Sequence, residues 1–209
     1  MKYTKDYFER YALLSLQECY DNKFSFQIFN KGESPDWYSL ELSIGLEVTR
    51  AMSKSEGEDE FITNKYFGKG YGGNLIKKAA AKRFHKDLFK VIDNVAYTVW
   101  FGDFSKYHIE AKDALVKKTK KLNGNYNKFA NNYLYIFINT GMFEADDIQR
   151  IIDMAQGELA DCAVQFDQIF FNIMNAIFVY SPTEPIQKIS IEDSVLAMLK
   201  KTAADDTIS

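Results

Sequence analysis

The sequence predicts an α/β domain in which helices flank a mixed central β-sheet. The first observation is an amphipathic helical pattern at residues 3–20, followed by three short strand patterns within residues 23–50. The second is a further helical pattern at residues 106–122, which leads into the apolar run NYLYIFIN at residues 132–139. Because an amphipathic helix must bury its apolar stripe, the order helix, three strands, helix, strand indicates layers around one sheet.

The N-terminal elements have clear local signals. Residues 3–20 form a predicted helix whose inward positions are Phe8, Tyr11, Ala12, Leu14, Ser15 and Cys19. Residues 23–29 alternate in the manner of a strand, and NKGESP at residues 30–35 has the composition of a turn. Residues 36–40 and 44–50 are the predicted strands of a hairpin.

The rest of the chain is expected to complete a single domain spanning residues 1–209. A basic insertion at residues 52–105 contains a charged loop, a basic helix, and a strand or buried helical turn, at residues 54–60, 74–90 and 94–101. The later elements are a helix, one or two apolar strands and a short helix, at residues 146–159, 167–180 and 191–201. Residues 200–209 are expected to fray.

Composition limits the class of protein. The chain has 209 residues, of which 46% are hydrophobic, so it can form a substantial core. It has no apolar run of eighteen residues and no signal-peptide core, so neither a membrane span nor secretion is expected. The isolated Cys19 and Cys162 argue against a disulfide framework and fit a reducing cytoplasm.

Charge is distributed unevenly along the chain. Residues 65–128 contain fifteen Lys and Arg against five Asp and Glu, whereas the other residues contain eleven against twenty-four. A basic block in an acidic chain indicates a surface that faces a polyanion. Solvated faces of lysine-rich helices are the alternative interpretation.

The stretch FGKGYGGNLIKKAAAKRFHK at residues 67–86 has four glycines before the predicted basic helix. It is neither a Walker loop nor a dinucleotide-binding fingerprint, so no nucleotide cofactor is expected. One interpretation is a loop before a surface helix. The other is a lid that contacts a nucleic-acid backbone through Lys77, Lys78, Lys82 and Arg83.

The segment SPDWYSLELSIGLEVTRAM at residues 34–52 has a glutamate within an apolar strand. Strand alternation places Glu47 on the face opposite to the apolar side chains, which belong to Ile44, Leu46 and Val48. A reversal at Glu41-Leu42 would bring Asp36 opposite Glu47, with Cβ atoms about 4.5–5.5 Å apart. Two carboxylates this close repel each other unless a proton or a cation intervenes, and Mg²⁺ prefers oxygen ligands.

The pattern Pro35-Asp36 followed by Gly45-Leu46-Glu47-Val48-Thr49 resembles the PD-(D/E)xK superfamily of restriction-endonuclease-like nucleases. The resemblance implies an αβββαβ core and metal-dependent hydrolysis of phosphodiesters. It further implies that Asp36 and Glu47 bind Mg²⁺ or Mn²⁺. An acidic residue of the first helix often joins such a site; Glu18 is our choice, and Glu9 is the other candidate.

The chain departs from this superfamily at Thr49, where the motif has a lysine. Some members supply the lysine from the following helix, and Lys118 shares a helical stripe with Leu115 and Leu122. Lys118 is therefore the predicted catalytic lysine. The alternative is that its side chain extends from the edge of the stripe to solvent.

The resemblance and the basic block together predict a nuclease whose partner is a nucleic acid, expected to be DNA. No membrane partner is expected, and a homodimer is an open option. The alternative function is that of a catalytically inactive nuclease-like fold that binds nucleic acid or protein. Thr49 is the residue that separates the two hypotheses.

Overall fold

The computed structural model describes residues 4–52, 89–92, 95–98, 104–124, 126–139 and 142–205. Its helices are α1 (Lys5–Cys19), α2 (Phe104–Leu122), α3 (Ala145–Leu159) and α4 (Asp193–Ala203). Its strands are β1 (Asn30–Lys31), β2 (Trp37–Ser39), β3 (Ile44–Ala51), β4 (Phe89–Ile92), β5 (Val95–Thr98), β6 (Asn131–Ile138), β7 (Gln168–Ile173), β8 (Ala176–Ser181) and β9 (Glu184–Ser190). The chain divides into two compact units: Met1–Lys2 with Met52–Lys106, and Tyr3–Ala51 with Tyr107–Ser209.

The larger unit is built on a seven-stranded sheet with the order β1-β2-β3-β6-β7-β8-β9. β6 lies parallel to both β3 and β7, and the other neighbouring pairs of this sheet are antiparallel. Helices precede both β6 and β7 in the chain, as parallel connections require. The predicted α/β class with a mixed sheet is therefore confirmed.

Both faces of this sheet are covered by helices. Two successive residues of β6 point to opposite faces of the sheet. Tyr135 packs in the cluster that contains residues of α1 and α4, whereas Ile136 packs in the cluster that contains residues of α2 and α3. Both side chains are fully buried. The near-continuous apolar sequence of β6 follows from this burial on two faces.

The predicted hairpin is confirmed, including its register. Trp37 pairs with Leu46, and Ser39 pairs with Ile44, so the positions opposite each other are those expected from a reversal at Glu41-Leu42. A four-residue connection makes the reversal, and its last residue, Ser43, has a positive φ of 50°. Continuing this register by one residue brings Asp36 level with Glu47.

The strand predicted at residues 23–29 is wrong. The segment forms turns in which the backbone N–H groups of Ile28 and Phe29 both donate to the carbonyl of Ser25, at 3.1 and 2.9 Å. Phe24 and Phe29 are both buried, and their rings stack with centroids 5.5 Å apart. A compact turn brings these two rings together, which an extended strand could not do because they are five residues apart.

Most of the remaining predictions for the larger unit are confirmed within a few residues. The helices predicted at 3–20, 106–122, 146–159 and 191–201 correspond to α1, α2, α3 and α4, and the apolar segment at 167–180 forms β7 and β8. The sequence did not predict β9 because most of its residues are exposed, so that strand has no apolar alternation.

In the smaller unit, the described residues form a two-stranded antiparallel pair of β4 with β5. β5 confirms the strand interpretation of residues 94–101. The predicted helix at 74–90 is wrong at its end, because Phe89 and Lys90 belong to β4. Several predictions fall on residues that the structure does not describe. They are the rest of that helix, the charged loop at 54–60, the glycine-rich stretch, and the proposed contacts Lys77, Lys78, Lys82 and Arg83. Residues 206–209 also lie outside the described residues.

Candidate functional site

Glu47 lies in β3 on the face of the sheet covered by α2, and only 2% of its surface is exposed. Its Oε1 accepts two hydrogen bonds. One comes from the ammonium of Lys118 on α2, and the other comes from the hydroxyl of Tyr126 at 2.8 Å. Lys118 thus reaches the glutamate from the neighbouring helix, between two buried stripe residues, Leu115 and Leu122.

The second carboxylate oxygen of Glu47 has a different environment. Oε2 is buried and has no hydrogen-bond partner among the described residues. Burial raises the pKa of the Glu47 carboxyl, and the nearby Asp36 charge raises it further, whereas Lys118 and Tyr126 act in the opposite direction. A buried carboxylate oxygen without a donor is costly in a folded protein unless a ligand satisfies it.

Asp36 lies immediately before β2, which runs between β1 and β3, and is 1% exposed. Its Oδ2 accepts a hydrogen bond of 2.8 Å from the backbone N–H of Val48. The pairing of β2 with β3 ends at Trp37 and Leu46, so the Asp36 side chain serves as the acceptor for a β3 amide just beyond that pairing. This position in the plane of the sheet explains how Asp36 can interact with groups from both faces.

Glu9 of α1 is the third buried acid, with 2% of its surface exposed. The ammonium of Lys5 lies 2.9 Å from Glu9 Oε1 and 3.0 Å from Asp36 Oδ1, so it bridges the two carboxylates. Lys31 of β1 lies 3.4 Å from Glu9 Oε2. Burial raises the pKa of the Glu9 carboxyl, Lys5 lowers it, and the charge of Asp36 raises it again.

The choice of Glu18 as the helical acid is not supported by its position. Glu18 is exposed near the C-terminal end of α1, nine residues from Glu9, which corresponds to about 13 Å along the helix axis. Glu9 occupies the place expected of that acid. The sequence signal for it is its spacing from two buried leucines, Leu13 and Leu16, which puts Glu9 on the inward stripe of α1.

The loop between α2 and β6 closes over the carboxylates. The backbone N–H of Asn127 donates to the carbonyl of Ser34 at 3.4 Å, which ties this loop to the segment before Asp36. The Phe129 ring lies against Gly45, where an added Cβ would be 2.7 Å from the ring and 3.0 Å from Pro35. Gly45 is therefore required for the loop to approach β3.

The motif position Thr49 is half-buried on the same strand face as Glu47. Its hydroxyl cannot supply a positive charge, and the ammonium beside Glu47 comes from Lys118 instead. Sequence reasoning did not identify Tyr126, because a tyrosine in an irregular loop has no periodicity that relates it to a strand.

The donor set fits a divalent cation in its chemistry but is small. Asp36 and Glu47 supply the hard oxygen ligands that Mg²⁺ and Mn²⁺ prefer, and the unsatisfied Oε2 of Glu47 is a ready donor. In the described ranges, however, no group of three or more Asp, Glu, His or Cys side chains is close enough to form a metal shell. The residues fit an ion that retains most of its water, as Mg²⁺ commonly does.

Four exposed lysines in the last turns of α2 and the loop that follows it form a basic surface, here called the basic rim. It consists of the exposed residues Lys117, Lys120, Lys121 and Lys128. Of these, Lys120 lies 3.8 Å from Glu158, which is too long to be more than a weak surface ion pair. Clustered positive charge at this end of α2 creates a field that attracts anions.

Comparison with family profiles, with curated proteins and with solved structures gives no match to this chain. None of the helices in the described part of the chain has the length and hydropathy of a membrane span.

Proposed function

We propose that this protein is a metal-dependent phosphodiesterase that cleaves nucleic acid, with DNA as the expected substrate. The observation that carries the proposal is the buried Glu47, which has an ammonium on one oxygen and, among the residues that the structure describes, no donor on the other. Such a carboxylate is expensive as a purely structural feature, and perturbed buried acids are concentrated at functional sites. Within the larger unit the elements follow the order α1, β1, β2, β3, α2, β6, and this αβββαβ order supports the same proposal through the resemblance to the PD-(D/E)xK superfamily.

In this proposal Asp36 and Glu47 hold Mg²⁺ or Mn²⁺. The bound ion would supply a water of lowered pKa and neutralise negative charge on the phosphate. The Lys118 ammonium has three N–H groups, one of which is bonded to Glu47. The other two have no partner in the described part of the chain and could orient the attacking water or bind a phosphate oxygen. Lys118 would therefore replace the motif lysine that Thr49 cannot provide.

The basic rim supports a polyanionic substrate. Lysines bind phosphates as point charges and carry no sequence information, so they would hold the backbone of a nucleic acid next to Glu47. Lys118 and three of the rim lysines, Lys117, Lys120 and Lys121, lie in the last turns of α2. This arrangement favours a phosphodiester over a small uncharged substrate.

The second candidate function is a binding module without catalysis, and a specific observation favours it. Each buried carboxylate already has a lysine counter-ion: Lys5 for Glu9 and Asp36, and Lys118 for Glu47. A site neutralised in this way can be stable without a metal. The basic rim would then bind nucleic acid that is not cut.

One experiment separates the two functions. The protein is incubated with single- and double-stranded DNA and RNA in Mg²⁺ or Mn²⁺, beside Asp36→Asn, Glu47→Gln and the control Glu18→Gln. We expect cleavage by the wild type and the control, and a loss of at least about 100-fold in both site variants, since they remove metal ligands. Cleavage that survives both site variants refutes the site. Binding without cleavage or metal uptake by the wild type favours the binding module.

A further inference from the structure

Tyr126 and Lys118 both donate to the same oxygen of Glu47, which is an asymmetric arrangement for a buried carboxylate. Oε1 accepts two bonds, whereas Oε2 is buried and accepts none from the described residues. Rotation of this carboxylate would break the bond from Tyr126 unless the loop that carries the phenol moved with it. The direction in which Oε2 points is consequently fixed.

We propose that Tyr126 is a positioning residue that orients Glu47 so that Oε2 is the oxygen presented to the metal. This inference rests on the proposed function. Lys118 alone is a poor orienting group, because its ammonium sits on a flexible four-carbon chain and can follow the carboxylate as it turns. The phenol of Tyr126 is rigid, and its position is set by the loop on which it lies.

The loop that carries Tyr126 is fixed at independent points. The backbone N–H of Asn127, the next residue, donates to Ser34, and the ring of Phe129 packs against Gly45 of β3. The Phe129 ring also stacks on Tyr38 of β2, with centroids 6.0 Å apart. The hydroxyl of Tyr126 is thus held relative to the same two strands that position Asp36 and Glu47. Groups that orient a metal ligand in this way affect metal affinity without touching the ion.

The test measures Mn²⁺ binding to the full-length protein by electron paramagnetic resonance of the free ion, for the wild type, Tyr126→Phe, Tyr126→Leu and Tyr38→Phe. We expect the dissociation constant of Tyr126→Phe to rise about tenfold, as for other residues that orient metal ligands. Tyr126→Leu should show at least the same loss, and Tyr38→Phe, which removes a hydroxyl from the neighbouring stacked ring, should bind as the wild type does. Circular dichroism establishes that each variant is folded.

The outcomes separate this inference from the function on which it rests. If the wild type takes up no Mn²⁺ and cleaves no nucleic acid, the proposed function fails and the role of Tyr126 fails with it. If the wild type binds Mn²⁺ and Tyr126→Phe binds equally well, only the positioning role is overturned. A loss in Tyr126→Leu alone also overturns the positioning role, because the ring and not the hydroxyl would then matter.

Discussion

Replacement of Lys118 by methionine tests whether the ion pair at the centre of the site is built as described. Methionine keeps the unbranched shape of the side chain and removes the charge. The Lys118 side chain is 15% exposed and that of Glu47 is 3% exposed, so the variant leaves a buried carboxylate without its counter-ion. Tyr126 still donates to Oε1 and limits the damage.

The expected cost follows from the burial of the pair. Removing one partner of a buried ion pair costs about 3–5 kcal/mol, and the remaining Tyr126 bond places this case at the lower end, about 3 kcal/mol at pH 8. In a Glu47→Gln background the same change removes only a hydrogen bond to a neutral amide, which is worth about 1 kcal/mol. The coupling energy between the two residues is therefore expected to be about 2 kcal/mol.

The cost should depend on pH in a defined direction. Burial holds the pKa of Glu47 above its ordinary value of 4.5, and Lys118 acts against this shift. Removal of Lys118 therefore raises the pKa of Glu47 further. A raised carboxyl pKa in the folded state lowers stability as the pH rises above the pKa of the unfolded state. The destabilisation caused by Lys118→Met should consequently be largest at pH 8 and should shrink as the pH falls toward 4.5 and Glu47 takes up a proton.

The assay is urea unfolding of the four proteins of this double-mutant cycle at pH 8 and pH 5, with Lys117→Met as the matched control. Lys117 is exposed on the same helix, so its replacement should change the free energy of unfolding by less than about 0.5 kcal/mol. If Lys118→Met costs the same with and without Glu47, within about 0.5 kcal/mol, the two side chains are not coupled and the reasoning is refuted.

Three further predictions concern the surroundings of the site. Gly45→Ala should destabilise the fold by about 1–3 kcal/mol in urea unfolding, because the added Cβ meets the Phe129 ring. Adding Phe129→Leu to this variant should recover part of the lost stability. Equal stability of Gly45→Ala and the wild type contradicts this packing. Glu9→Gln should flatten the dependence of the thermal midpoint on pH between 5 and 8. The pKa of Glu9 is raised in the folded protein, so ionisation of Glu9 lowers stability as the pH rises. The same slope of thermal midpoint against pH in the variant and the wild type would rule out this contribution. Lys121→Ala should lower the slope of log affinity for DNA against log salt by about one if this exposed lysine contacts a phosphate, and an unaltered slope removes it from the interface.

The hairpin and the position of Glu47 could be predicted because local rules determine them. Strand alternation set the face of Glu47, and the length of the connection set the register that brings Asp36 level with it. Lys118 could be predicted for a related reason, since its spacing from Leu115 placed a lysine on an inward stripe of α2. The face of Glu47 and the register followed from residues close in sequence, whereas the choice of Lys118 also used the resemblance, which implied a lysine from the following helix.

The features that sequence analysis missed depend on contacts between distant segments. Glu9 was named as the second candidate after Glu18, and only the packing of α1 on the sheet distinguishes the inward acid from the exposed one. Tyr126 reaches Glu47 across 79 residues from an irregular loop. The alternating phenylalanines of residues 23–29 gave a strand pattern, but burial of Phe24 against Phe29 required a turn.

The exchange of the motif lysine for Thr49 alters what holds the proposed site together. A lysine two residues after Glu47 would be fixed to it by the strand itself, whereas Lys118 belongs to another element and meets Glu47 only because α2 packs on β3. That packing depends on the fully buried Leu115 and Leu122. Shortening either leucine should therefore weaken the contact between Lys118 and Glu47 as well as the core, because cores respond to lost methylene groups by shifting the elements they join. The proposed activity should consequently fall together with the packing of α2, a dependence that a lysine at position 49 would have avoided.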